Sequence, residues 1–192
     1  MKLKKAEIRY LYELKKVLYD QEWLKKSPNF EIYYMYRGVK EQDNLRYDIT
    51  VIPPKKLGLE FVKTKGHYHP QHYGELYIVL EGQAIYLMQK VKGEKIEDIY
   101  AVEAKRGDHI IIPPKYGHIT INSGKKTLKM ANWVYNNFRS VYEPIEKRGG
   151  GGYFYTTRGW LKNKNYKYLP NLRIEKAQKS KPKDLSFLKR NG

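Results

Sequence analysis

Apolar residues recur at Ile8, Leu11, Leu14, Val17 and Leu18, a spacing that predicts an amphipathic helix from about Lys5 to Leu24. After Ser27 and Pro28 the texture changes. FEIYYMY, RYDITVIP, ELYIVLEG, QAIYLMQK, HIIIPP, HITIN and LKMANWVY are short β-branched and aromatic runs parted by Gly, Pro, Asn and Lys turns. Many short strands without long helices between them predict an antiparallel barrel or sandwich, an all-β fold rather than a parallel α/β sheet. The RGGGGYF cluster is expected to be a turn, because a phosphate-cradling loop needs a helix directly after it and YFYTT is strand-like. Beyond Trp160 the chain is polar and is expected to drape over the surface or fray. The chain thus divides into an N-terminal helical extension over 1–27, a barrel domain over 28–160 and a basic C-terminal extension over 161–192.

One stretch breaks the pattern with chemistry. TKGHYHPQHYGELYIVLEG, Thr64 to Gly82, holds three of the chain's 5 histidines just before a strand. Alternate side chains of a strand share a face, so His67 and His69 point one way and Tyr68 the other. The PQHYG turn can return Glu75, which shares a face with Tyr77 and Val79, alongside the pair. HITIN sets His118, Thr120 and Asn122 on one face, with Ile119 and Ile121 on the other. A polar inner face suits a barrel whose interior holds a site. A lone histidine is most often a surface or hydrogen-bonded residue, and H-x-H alone is a weak signal. The ordered succession of His67, His69, Glu75, Gly82, Gly107, Pro113, Gly117, His118 and Asn122 is a far stronger one, and it predicts a metal site. His109 in GDHIII reads as an exposed strand position, and His72 lies in the turn.

Composition narrows the chemistry. At 192 residues, with 41% apolar and 14% aromatic residues, the chain fits one domain with a single core. Cysteine is absent, which excludes disulfides, thiolate metal sites and a cysteine nucleophile, and leaves His, Asp and Glu as metal ligands. MKLKKAEIRY lacks the apolar stretch of a signal peptide, and no run of roughly 18 apolar residues occurs, so the expectation is a cytoplasmic protein off the membrane. A net charge of +18 favours an anionic partner. Lysines crowd both ends, but the C-terminal run has no aromatic interleaving and no helix-turn-helix signature appears. These features weaken the nucleic-acid reading, and charge alone does not choose among an acidic membrane surface, a phosphorylated small molecule and simply solvated lysine-rich termini.

At Gly66-His67-Tyr68-His69 with Glu75 and Gly82, and at Gly107, Pro113, Gly117-His118 and Asn122, the sequence resembles the two motifs of the cupin superfamily. FVKTKGHYH preceded by YDITVIPPKKLGLE, and PPKYGH followed by IN, look like the archaeal-type cupin phosphoglucose isomerases. The likeness covers roughly residues 33–154. It implies a cupin double-stranded β-helix, or jelly roll, and interconversion of glucose 6-phosphate and fructose 6-phosphate. It also implies a homodimer and one divalent metal ion per chain, Fe2+ first, with Zn2+, Mn2+ or Ni2+ as alternatives. By the same likeness His67, His69, Glu75 and His118 are the metal ligands. Thr50, Thr64, Gly66 and Tyr77 match positions that surround the sugar phosphate, as do Tyr135 and Tyr142. Where the family tends to carry a histidine, this chain has Arg139 and Ser140, and an arginine there could hold phosphate.

An aldose and its ketose differ by one proton moved between carbons and one between oxygens. Glu75 is the acid that the motif sets beside the metal, so it is the candidate general base as well as a ligand. A hydride shift would use the same cage without a base, and the two routes stay open. Two other readings stand beside this one. Another metal cupin, an iron dioxygenase or a sugar epimerase, could use the same ligands. A non-catalytic binding protein with basic ends touching nucleic acid would show salt-sensitive binding and no turnover.

Overall fold

The computed structural model describes residues 5–70, 73–136 and 139–188; His72 lies outside them. Fourteen strands follow one another as β1 Glu7–Tyr10, β2 Glu31–Gln42, β3 Leu45–Ile52, β4 Lys56–Leu57, β5 Glu60–Phe61, β6 Glu75–Glu81 and β7 Gln83–Lys92, then β8 Lys95–Lys105, β9 His109–Ile112, β10 Tyr116–Ile121, β11 Leu128–Tyr135, β12 Tyr153–Thr156, β13 Gly159–Lys162 and β14 Arg173–Lys176. Two short helices, α1 Gln21–Lys26 and α2 Glu143–Glu146, and two 3-10 turns complete the described chain. The fold is all-β, as the alternating runs predicted.

A six-stranded sheet in the order β1-β2-β3-β11-β6-β9 faces a four-stranded sheet in the order β10-β7-β8-β14, and β13-β12-β5-β4 form a small third sheet. Every pairing among the named strands is antiparallel except β14 with β8. The two large sheets meet through their inner aromatic side chains. Tyr77 and Tyr86 approach to 5.2 Å between ring centroids, and the Tyr86 hydroxyl reaches Met130 Sδ at 3.2 Å. Among the described residues the sheets do not close by hydrogen bonds into one barrel. The gap between them is stitched by the segment before β6, where Lys63 bridges to Ile121 and His67 to His118.

Turn chemistry sets the registers. Asp43 and Asn44 take positive φ of 51° and 63° in the two-residue turn between β2 and β3, the mirror-image geometry that matches strand twist. Gly82 turns β6 into β7 at φ 79°, where a Cβ would stand 2.6 Å from the Thr127 carbonyl oxygen.

The N-terminal segment departs from the expected helix. Glu7–Tyr10 pair as β1 with β2, Leu11–Val17 form a 3-10 helix, and α1 follows after Asp20, which accepts from the Trp23 N–H at its N-terminus. Two physical reasons apply. Leu11, Leu14 and Val17 are spaced by three, so a 3-10 helix aligns all of them on one buried face, each contributing about 1.5–3 kcal/mol of burial. The open edge of β2 satisfies the backbone of Glu7–Tyr10 better than water-exposed helical turns would. A buried ion pair then clamps the segment: Lys63 Nζ donates to Glu60 at 2.5 Å and to the Val17 carbonyl at 2.7 Å, and the second Glu60 oxygen accepts from the Tyr19 N–H.

The C-terminal segment drapes over the surface and is tied down as it goes. The expected boundary at residue 160 falls inside β13, β14 lies parallel to β8, and Tyr166 is buried with its hydroxyl against Gln89 Nε2. The RGGGGYF glycines form the turn into β12 as expected, and Gly152 N–H donates to Gln89 Oε1 at 2.8 Å.

Candidate metal centre

Glu75 opens β6, His118 sits in β10, and the HYH segment lies against β10 through paired backbone hydrogen bonds between His67 and His118. The alternation read from H-x-H is realised here. Tyr68 points to the opposite side, where its hydroxyl accepts from Gln89 Nε2 at 2.8 Å and its ring covers Gly117. His67, His69, Glu75 and His118 come together, with candidate ligand atoms all within 4.8 Å of one another. His69 Nε2 lies 3.2 Å and His118 Nε2 3.4 Å from Glu75 Oε2, and the His67 and His118 rings are 4.5 Å apart. His69, Glu75 and His118 are buried and His67 is half-buried.

Neighbouring groups orient these side chains as candidate ligands. The Tyr73 carbonyl stands 3.1 Å from His69 Nδ1, which sets the proton there and leaves Nε2 bare toward Glu75. Asn132 Nδ2 donates to Glu75 Oε1 at 2.5 Å, which leaves Oε2 to face the histidines. Burial pushes His118 down to about 4, with Glu75 opposing and His69 adding to the shift. Burial also holds His67 well below the ordinary imidazole value, reinforced by His118 and His69. Burial alone would raise Glu75, but its contacts with His69 and His118 keep it below the usual carboxylate value. Three imidazoles, with His67 and His118 held neutral by burial, and one carboxylate fit a divalent cation with nitrogen and oxygen ligands.

The cluster opens on a small cavity that also takes in Thr50, Thr64, Gly66, Tyr77 and Tyr142 of the expected substrate residues. Tyr77 is buried with its hydroxyl 3.2 Å from His118 Nε2, and burial beside Glu75 raises it well above the ordinary phenol value. Thr64 Oγ1 accepts from the Thr120 N–H at 2.9 Å. Gly66 holds φ 81° under Ile119, whose Cγ1 a Cβ would meet at 2.4 Å. Tyr142 lies 5.9 Å from the His67 ring, with Lys65 Nζ 4.8 Å from its own centroid. Tyr135 does not line this cavity; its ring packs on Tyr73 at 5.5 Å. Ser140 lines the cavity, whereas Arg139 is exposed. Asn122 holds a turn, donating to the carbonyls of Ile52 and Lys126. His109 is half-buried on β9, not exposed, because its backbone pairs with Gln178.

Sequence reading missed Tyr33, Arg37, Asp48 and Asn132, which complete the cavity wall. Asp48 and Thr50 alternate on β3 and Asn132 follows Met130 on β11, so polar residues at inward positions of apolar strands were the available signal. The cavity encloses about 50 Å³, and Arg37, Ser140 and Tyr142 on its wall are half-buried. A roomier surface groove of about 650 Å³ beside Lys15, Lys16 and Lys162 contains none of the cluster.

An antiparallel β fold with three histidines and a glutamate converging between its sheets defines a metal-binding cupin. The chain belongs to the glucose-6-phosphate isomerase (GPI) family, whose model matches residues 4–171. The glucose-6-phosphate isomerase of Thermococcus litoralis is 35% identical over 129 residues, 64% of this chain and 65% of the relative. That of Pyrococcus abyssi is 32% identical over 127 residues, 62% of this chain and 65% of the relative. The matched region thus spans just under two thirds of these relatives' length. A solved structure of oxalate oxidase aligns at a TM-score of 0.47 and 16% identity, over 59% of this chain and 56% of that one, a likeness too partial to add to the assignment.

Proposed function

We propose that this chain is a metal-dependent aldose–ketose isomerase that interconverts glucose 6-phosphate and fructose 6-phosphate. The observation that carries this reading is the grouping of His67, His69, Glu75 and His118, of which His67, Glu75 and His118 line one cavity with Thr50, Thr64 and Gly66, in a chain of this family. The four side chains would hold one divalent cation, which supplies Lewis acidity for negative charge developing on adjacent substrate oxygens. Fe2+ is our first choice for a three-histidine, one-carboxylate set, ahead of Zn2+, Mn2+ and Ni2+.

The protein's own groups do the rest. Thr50 and Thr64 offer hydroxyls and Gly66 a backbone N–H to the phosphate. Tyr77, kept protonated by its burial, donates toward the reacting oxygens. Asn132 fixes the Glu75 carboxylate in one orientation and leaves Oε2 as the atom that meets either a cation or a proton. Tyr142 lines the same cavity, and the buried setting of His118 and Glu75 would keep water from the exchanging hydrogen. The same reading carries the expectation of a homodimer.

A coupled assay for glucose 6-phosphate formed from fructose 6-phosphate tests this directly. Metal-loaded protein should turn over, a chelator should abolish the activity, and added divalent metal should restore it. No turnover by protein carrying one equivalent of metal would overturn the proposal.

A further inference from the structure

Among the described residues that line the cavity, Arg37 is the only lysine or arginine. The hydroxyls and the backbone N–H proposed for the phosphate are neutral donors, and a phosphate dianion in a half-buried site calls for a permanent positive charge. Arg37 is placed for that purpose by an irregularity in its strand. The register of β2 against β3 shifts between Tyr36 and Lys40, and Gly38 turns at φ 59° while its N–H donates to Asp48 Oδ1 at 2.7 Å. A bulge of this kind re-aims a side chain, here the guanidinium of Arg37.

Two carboxylates fix the guanidinium. Its Nε donates to Glu7 on β1 at 3.0 Å, and Nη1 donates to Asp48 at 3.3 Å, while Asp48 is itself held by Arg46 Nε at 2.8 Å. The contact recorded for Nη2 is with Met35 Sδ at 3.3 Å, and a thioether is a weak acceptor. Met35 pairs across the strands with Thr50, so Nη2 is aimed at the part of the wall that holds the proposed phosphate hydroxyl. Nη2 therefore carries N–H donors next to Thr50 with no strong acceptor among these contacts.

We propose that Arg37 binds the substrate phosphate through Nη2 and is the residue by which the site prefers a phosphorylated sugar. This rests on the reading of the chain as a sugar-phosphate isomerase. Arg9 and Lys65 lie nearby but serve otherwise: Arg9 pairs with Glu13 at 2.6 Å, Lys65 pairs with Glu146 at 2.6 Å, and neither lines the cavity.

The test uses metal-loaded full-length protein, Arg37→Gln and Arg37→Lys, with inorganic phosphate as the probe. Loss of a hydrogen bond to a charged partner corresponds to roughly a 10- to 100-fold effect. Arg37→Gln should raise KM for fructose 6-phosphate and the inhibition constant of phosphate by that factor, with a smaller change in kcat. Arg37→Lys should recover part of both, because it keeps the charge and loses the planar fork. A residue that only ties β1 to β2 would lower Tm and leave KM and the phosphate constant where they were, and that result overturns the proposal. If Arg37→Gln does not fold, Arg37→Lys decides, and phosphate affinity equal to wild type sinks the assignment. Calorimetric titration with phosphate reads Arg37 independently of turnover. A wild-type chain that binds phosphate through Arg37 but does not isomerise fructose 6-phosphate defeats the isomerase reading alone, and a wild-type chain that does not bind phosphate defeats the role of Arg37.

Discussion

The cavity has two walls of opposite construction. At the metal wall, His67, His69, Glu75 and His118 come from two short motifs, their imidazoles are packed against one carboxylate, and Asn132 and the Tyr73 carbonyl hold Glu75 and His69 in place. At the cationic wall, Arg37 comes from a bulged strand, and nearby Arg9 and Lys65 come from the N-terminal strand and the loop before His67. Each of these cations is paired with a carboxylate from another segment. The metal wall keeps His67 and His118 neutral by burial, which leaves their lone pairs free to donate. The cationic wall keeps its charges partly buried and paired. Of these cations Arg37 alone lines the cavity, and its Nη2 is the donor not taken up by a carboxylate among its recorded contacts. Ligand affinity for a cation and attraction for an anion call for opposite environments, and the two sides of this cavity supply them.

The comparison breaks most severely at His118. Elemental analysis of metal-loaded protein should find about one equivalent per chain, and His118→Ala should lose most of it, since even partners of ligands cost about 10- to 100-fold in metal affinity. Full metal content in that variant would remove His118 from the ligand set.

Glu75→Gln separates ligand from base. If Glu75 moves the proton, kcat should fall by about 10²- to 10⁴-fold at full metal occupancy, with KM much less affected, and solvent deuterium should appear at C2 of the product. Near-normal turnover with complete retention of the original hydrogen would favour a hydride shift through the same cage.

The neutral state of the metal wall should show in the pH dependence of metal-free protein. His118 binds its proton only below about 4 when folded but below about 6.5 when unfolded, so the unfolded chain takes up more protons between those values. Stability should therefore be full above about 6.5 and fall as the pH drops toward 4, by about 3 kcal/mol for this histidine. Thermal melts of His118→Gln should show a flatter profile over that window, and an unchanged slope would count against a buried neutral imidazole.

Asn132→Ala tests how far the metal wall depends on its support, with an expected loss of about 10- to 100-fold in metal affinity as Glu75 loses its fixed orientation. The smallest effect belongs to the hydroxyls. Thr50→Val and Thr64→Val should each raise KM for the sugar phosphate about 3- to 10-fold while leaving metal content intact. An unchanged KM in both would take them out of the phosphate contacts.

The two walls were also unequally legible. Between Phe30 and Tyr135 the β-branched and aromatic runs fall on β2, β3, β6, β7, β9, β10 and β11 but not on β8, and H-x-H, Glu75 and His118 are recognisable because a metal demands particular residue types at local spacings. Arg37 gives no such signal. It is one of 38 lysines and arginines, and nothing local marks it from those that only face solvent. Asp48 and Asn132 were within reach of pattern reading, as polar residues at inward strand positions, but their partners Arg46 and Glu75 are fixed only by packing. Tyr135 shows the converse, a motif-matched aromatic that packs on Tyr73 instead of lining the cavity.

At the N-terminus, Ile8, Leu11, Leu14, Val17 and Leu18 announced a buried face but left open which backbone would present it. Helix and 3-10 turn differ little in local energy over so short a stretch, and the unpaired edge of β2 with the Lys63–Glu60 clamp decided between them. By itself the sequence determined which residues are apolar, where strands alternate and which four side chains can ligate a metal, because those properties depend on residue type and near neighbours. The tertiary structure decided the edge taken by Glu7–Tyr10, the parallel docking of Arg173–Lys176 on β8 and the aim of Arg37, because each depends on hydrogen-bonding and charge partners far away along the chain.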